Sequence, residues 1–223
     1  MRSVTYLGHS CFLVKLGNLV MLFNPMVAEA AGGYARREKS ALNPHAIREC
    51  DIIFLSNEGA WNCEPETVKE IAERCYSRVI APKPALSRID VSDRSKIEVG
   101  AGDKFTIKGI EIQVMKAVHP QSKYPVGYLV RGDGLSVYHA GDTYSFSEMG
   151  LVRCDVALVP IGGGGTMDPF AANSAVKEMR PKVAVPMAYN THERITQEAQ
   201  EFTSDLGSLT KGVALRVGQE MRL

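Results

Sequence analysis

Four short stretches of this chain gather residue types that do chemistry. They are Tyr6-Leu7-Gly8-His9-Ser10-Cys11-Phe12, Tyr138-His139-Ala140-Gly141-Asp142-Thr143, Pro160-Ile161-Gly162-Gly163-Gly164-Gly165-Thr166-Met167 and Pro186-Met187-Ala188-Tyr189-Asn190-Thr191. Each lies at the end of an apolar run that reads as a strand, and loops at strand ends are where rigid scaffolds mount functional groups. Imidazoles and carboxylates in such loops hold metal ions or move protons. The glycines of 162–165 suit an anion held by backbone amides, although the run lacks the Gly-Lys-Ser/Thr ending of a phosphate-binding P-loop.

Single residues carry competing readings. His9, in a tight Gly-His-Ser turn, either lines a site or makes structural hydrogen bonds. His139 stands three residues before Asp142 on a strand and reads as a buried, satisfied histidine. His192 follows Ala188 by four residues in one loop, as a solvated residue or a ligand that swings in; His45 carries no expectation. Glu58 and Cys63 are candidate ligands or nucleophiles, but no histidine near Cys63 in sequence activates its thiol, which therefore reads as structural.

The elements that must position these groups follow from hydrophobic period and turn residues. Strands are expected over 4–7, 11–16 and 19–23, a meander punctuated by Gly8 and by the hairpin signal Gly17-Asn18. Residues 24–43, rich in Ala, Gly and charge, read as a loop able to border a site. A strand over 51–55, a helix over 64–75 with Val68, Ile71, Ala72 and Cys75 at helical spacing, and a strand over 78–81 follow. The second half repeats the plan, with strands over 104–107, 110–118, 126–131, 135–139 and 155–161. A helix over 169–179, a strand over 182–186, a helix over 195–206 and a strand over 213–217 complete it. The chain thus reads as a single α/β domain over 1–223 with two similar halves, about 1–105 and 106–223, whose sheets pack face to face beneath outer helices.

Composition narrows the partners. With 223 residues, 26 basic and 25 acidic side chains and a net charge of +1, there is no bulk electrostatic case for nucleic acid or an acidic membrane. The five cysteines are odd in number, scattered and free of any C-x-x-C pair, as in a reduced, cytoplasmic protein. No apolar run approaches the roughly 20 residues that span a bilayer, and no signal-peptide pattern opens the chain. The expected partner is an unidentified small molecule or a protein, with self-association left open.

Taken together, in this order and spacing, the four stretches resemble the metallo-β-lactamase superfamily, in its branch of metal-dependent hydrolases that includes ascorbate-6-phosphate lactonases. The resemblance runs from Val4 to about Leu206. It implies a four-layer αββα sandwich whose loops converge on one or two zinc or manganese ions. There a metal-bound water becomes hydroxide near neutral pH and attacks an ester or lactone carbonyl.

Carried over residue by residue, the family's His-x-His-x-Asp-His matches Asn57, Gly59, Trp61 and Asn62, its next metal histidine matches His119, its bridging aspartate Asp142, and its last histidine Ala188. Five of seven ligand positions are therefore replaced, and only His119 and Asp142 remain, with weak or no metal binding expected. The family's Ile-Asp-Pro, whose aspartate orients a metal histidine, matches Phe23-Asn24-Pro25. An aspartate without its histidine would be a costly buried charge, so a neutral Asn24 is consistent with the loss. The implied pocket is lined by His9, Asn24, Asn57, Gly59, Trp61, Asn62, Gly163, Gly164, Ala188, Tyr189 and Asn190, with Trp61 filling the old cavity and His192 a candidate recruited ligand. The expected function is a hydrolase-like fold turned to binding or regulation, with no cofactor and no assigned catalytic residue. The alternative is a hydrolase of a small ester, lactone or phosphate-bearing substrate that uses one zinc or manganese ion on His119, Asp142 and recruited groups.

Overall fold

Alternation of side chains along short strands decides how the chain folds. In a computed structural model describing residues 1–204, 206–208 and 210–223, the first sheet is built largely from the first half. Its strands are β1 (Ser3–Gly8), β2 (Cys11–Leu16), β3 (Leu19–Phe23), β6 (Ile52–Phe54), β7 (Arg78–Ala81) and β8 (Lys96–Glu98), with a two-stranded hairpin, β4 (Ala30–Ala31) and β5 (Tyr34–Ala35), between β3 and β6. The second sheet runs β9 (Lys104–Ile107), β10 (Ile110–Lys116), β11 (Val126–Gly132), β12 (Leu135–His139), β13 (Val156–Pro160), β14 (Val183–Met187) and β15 (Lys211–Gly212) in spatial order. A last strand, β16 (Glu220–Arg222), returns to the first sheet and pairs antiparallel with β1.

Successive residues on a strand face opposite sides, which sorts the first sheet into two cores. Phe12, Val14 and Leu16 of β2 with Ile52 and Phe54 of β6 join the core shared with the second sheet. Cys11, Ile53, Val79 and Ala81 join a separate cluster beneath α1 (Pro65–Cys75). The two sheets meet face to face: Tyr128 of β11 donates its hydroxyl to Leu55 O at 2.8 Å, and its ring lies 4.7 Å from Phe54. Strand β13 is buried along its whole length between parallel neighbours and reads as continuous apolar sequence, as sheets covered on both faces do.

Helix α1 begins with proline at its first turn and presents buried Val68, Ile71 and Ala72 to the sheet. Helix α3 (Pro169–Met179) is capped by Asp168, whose carboxylate accepts from Ala171 N–H at 2.8 Å, and packs over the outer face of the second sheet. The layers are helix, sheet, sheet, helix. Short helices α2 (Lys83–Leu86) and α4 (Ala199–Thr203) complete them.

Three expectations are corrected. Of the helix over 195–206, the described residues form only the five-residue α4, preceded by a 3-10 turn at Glu193–Ile195, and residue 205 lies outside the described residues. The strand over 213–217 is absent: pairing stops at Gly212, and the chain turns at Val217-Gly218 before β16. Residues 30–35 form a hairpin rather than an irregular loop, with Gly32 and Gly33 at φ 56° and 84° making the turn.

Candidate functional site: a cavity where two sheets meet

The loops after β1, β3, β6, β12, β13 and β14 converge at one end of the sandwich. Several hold non-glycine residues in the left-handed region: His9 at φ 56°, Asn24 at 44° and Ala188 at 54°. Such conformations cost energy and persist where surrounding contacts fix them. Here the fixing contacts run between sheets, since Ala188 N–H donates to His9 O at 2.8 Å and Val126 N–H to Ser56 O at 2.9 Å. Gly141 has no substitute for a further reason: a Cβ there would lie 2.6 Å from Val126 O.

Beneath the loops is a buried network of amides and hydroxyls around Asp142. Asn62 Oδ1 accepts from Ser10 Oγ at 2.5 Å and from Asn24 Nδ2 at 3.0 Å, which turns its own amide nitrogen to Asp142 Oδ2, 2.5 Å away. Asn57 accepts from Gly59 N–H at 2.7 Å and directs its Nδ2 at the same oxygen, at 3.3 Å. Asn24 in turn accepts Ser56 N–H and shares its amide nitrogen with the Ser56 hydroxyl at 2.9 Å. A carboxylate only accepts, so these contacts determine the orientation of both amides.

The remaining imidazoles are held in distinct ways. His119 Nδ1 pairs with Gly165 O at 2.9 Å, so this nitrogen carries a proton, and in the neutral ring Nε2 holds the lone pair, 3.9 Å from Asp142 Oδ2. His139 is fully buried, accepting Gly141 N–H at Nδ1 and donating from Nε2 to Ser10 O at 2.9 Å, with its ring stacked on Phe23. Burial pushes its pKa down to about 4. His9 is also pushed down to about 4 by burial, opposed in part by Asp142, and pairs with Thr191 Oγ1 at 2.9 Å. Both rings are neutral at pH 7.

Above the network opens a cavity of about 400 Å³ lined by His9, Tyr34, Trp61, His119, Gln121, Asp142, the 163–166 loop, Ala188, His192, Arg194 and Ile195. One wall is a column of four rings. Tyr34 and His192 stack at 4.9 Å, His192 and Trp61 at 5.1 Å, and Trp61 and His9 sit 5.4 Å apart. His192 is only 7% exposed, and among the described residues neither its Nδ1 nor Trp61 Nε1 has a hydrogen-bond partner.

Several site expectations change. Trp61 does not fill the cavity; it is half-buried and forms a wall, with Arg36 over its ring at 5.3 Å. Asn24, Asn57 and Asn62 lie under the floor rather than in the lining, Gly59 packs against Asn57, and Tyr189 and Asn190 fall outside the cavity. His192 does enter the lining, but held between two rings rather than turned toward Asp142 as a ligand. In the glycine loop, Gly163, Gly165 and Thr166 spend their N–H groups on Met167 O and Gly163 O, which leaves few amides to cradle an anion. Glu58 instead accepts from Ser122 Oγ at 2.8 Å and Lys123 N–H at 2.6 Å; burial alone would raise its pKa, and these donors bring it below the usual carboxylate value. Cys63 is buried, with its thiol pushed up to about 11 by desolvation, as a structural thiol should be.

Sequence reading missed Tyr34, Gln121, Arg194 and Ile195. Tyr34 alone had a local signal, the Gly32-Gly33 pair that turns its hairpin over the site.

The fold and this end of it define a metallo-β-lactamase-like sandwich. A family model described as a beta-lactamase superfamily domain matches residues 3–188, and the chain belongs to that superfamily. It is 34% identical, over the full length of both chains, to a UPF0173 metal-dependent hydrolase of Thermococcus kodakarensis. It is 30% identical to one of Opitutus terrae over 91% of each chain. Among solved structures it is similar to Igni18, a metallo hydrolase from Ignicoccus hospitalis, with a TM-score of 0.85, 26% identity and coverage of 100% of this chain and 98% of that one. A putative metal-dependent hydrolase from Parabacteroides distasonis, 20% identical with a TM-score of 0.78 over 97% and 93% of the chains, shares the fold.

These relatives imply a metal, and the residues present do not fit one. A catalytic zinc takes three protein ligands as a rule. Among the described residues no group of three or more His, Cys, Asp or Glu is placed to hold an ion. The Asp142 carboxylate faces two N–H donors, where an ion would need lone pairs.

Proposed function

We propose that this protein is a small-molecule-binding member of its superfamily, in which a hydrogen-bonded amide network has taken the place of the binuclear metal site. The observation that carries this reading is the pair of amides, from Asn57 and Asn62, directed at Asp142 Oδ2. They satisfy a buried carboxylate without a cation, and an unsatisfied one would be costly. A concave, largely aromatic cavity of this volume falls in the range typical of small-ligand sites. Protein purified without chelators should contain well below one equivalent of zinc, manganese or iron, and EDTA should leave its melting temperature unchanged. One equivalent of metal that disappears in Asp142→Ala would overturn the reading.

A second reading, hydrolysis at a single zinc or manganese ion on His119 and Asp142, draws on the relatives' names and on one observation. His119 Nδ1 is anchored by a backbone carbonyl, the arrangement that orients metal-binding histidines. It requires Asn62 to turn its amide oxygen toward the ion, against the bonds from Ser10 and Asn24. Saturable zinc binding lost in His119→Gln would favour it.

A further inference from the structure

The floor of the cavity offers acceptors without an ion to share them, and that limits what fits. Asp142 is 8% exposed and is the one carboxylate in the lining. Beside it, His119 presents the lone pair of Nε2 at 3.9 Å from Asp142 Oδ2. A metal ion needs three or more lone pairs at short range, whereas an N–H group needs acceptors at about 2.9 Å and tolerates bent geometry. A nitrogen placed about 2.9 Å from both atoms subtends roughly 85° between them, within reach of two hydrogens on one nitrogen.

Charge favours a cation over a neutral donor. The carboxylate is buried and its protein donors are neutral amides. The one cation in the lining, Arg194, is exposed at the mouth, with its guanidinium over Tyr34 at 5.1 Å, where solvent and salt screen it. An anion would meet the Asp142 carboxylate beside a glycine loop in which Gly163, Gly165 and Thr166 already donate internally. The wall adds shape, since Tyr34, His192, Trp61 and His9 line one side of the cavity with aromatic surface suited to a flat ligand.

We infer that the cavity binds a flat organic cation, an arylmethylamine or aryl amidine, whose charged N–H group sits between Asp142 and His119. This rests on the proposed function, because a metal on the same two residues would exclude the ligand. In the step beyond that reading, the acidic floor has kept its preference for positive charge and changed the kind of cation it takes.

Trp61 is the single tryptophan of the chain and stands in the cavity wall, so its fluorescence reports occupancy directly. Protein is stripped with EDTA and its metal content counted. Benzamidine, benzylamine, benzyl alcohol and benzoate are then titrated against it. Benzamidine or benzylamine should change the emission saturably, benzyl alcohol at least tenfold more weakly, and benzoate not at all. Asp142→Asn, a near-isosteric change, should weaken benzamidine at least tenfold and leave benzyl alcohol as it was. Should that variant fold poorly, the charge series on the parent protein decides alone. Binding of benzoate or benzyl alcohol as tight as that of benzamidine would overturn the inference, as would no saturable response to either cation below about 10 mM in metal-free protein. Retention of one equivalent of metal after stripping would instead count against the proposed function, which separates the two failures.

Discussion

At the scale of single residues, Ser10, Asn24, Asn57 and Asn62 form a coherent polar floor around Asp142, with Asn62 accepting from Ser10 and Asn24 so that it can donate to Asp142. Identities alone marked the positions at which the resemblance expects metal ligands. They could not reveal this network, because nothing local in Asn57 or Asn62 says which way an amide turns. Trp61 shows the same limit: sequence placed it at the site, but whether an indole plugs a cavity or walls it depends on neighbours distant in the chain, His9 and His192. As a half-buried wall, Trp61→Ala should cost about 1–3 kcal/mol rather than the larger loss of a fully buried tryptophan, measured by urea unfolding followed by circular dichroism. His139 gives a pH signature. Its folded pKa, about 4, lies below the ordinary 6.5, so the unfolded chain binds the extra proton; the resulting stability is complete above pH 6.5 and is lost as pH falls toward 4. His139→Gln should therefore be less stable at pH 7, yet its unfolding free energy should fall by about 3 kcal/mol less than the parent's between pH 7 and pH 4. Parallel curves would mean that the buried ring charges without penalty.

At the scale of elements, the strands with clear alternation and the two long helices with proline at their first turn, α1 and α3, were legible, α3 to the residue, whereas the short α2 was not. Failures came where pattern and packing disagree. The apolar residues of 213–217 looked like a strand, but after Val213 N–H donates to Ala184 O the segment leaves the sheet, whereas polar Glu220-Met221-Arg222 pairs with β1 although its pattern is weak. The loops show how tightly an element can be specified by what it nearly touches. A Cβ on Gly162 would lie 2.2 Å from Ala188 O, while one on Gly164 meets nothing within 4 Å. Gly162→Ala should thus destabilise by more than about 3 kcal/mol, and Gly164→Ala, strained only by its left-handed backbone, by about 1–2 kcal/mol. Equal losses in thermal melts would show that backbone strain rather than the Ala188 contact sets the cost.

At the scale of the whole molecule, each sheet draws nearly all its strands from one half of the sequence, and the site is where the halves touch, through Ala188 to His9 and the amides of Asn57 and Asn62 to Asp142. Each half of the sequence carries a run of antiparallel strands followed by alternating strands and helices, a local pattern; the contacts just named across them are not local, because they join residues at least 80 positions apart. The exception to this division is β16, which crosses back so that Leu223 N–H donates to Arg2 O at 3.1 Å. Positions 2 and 223 are therefore neighbours, and the order in which the halves are written is free to change. A circular permutant that joins 223 to 1 through a short glycine linker and opens at Gly102, in the turn before β9, would place the second sheet first in the chain. Its Trp61 emission and cooperative melt should match those of the parent, since the cavity wall and floor do not depend on which half is made first.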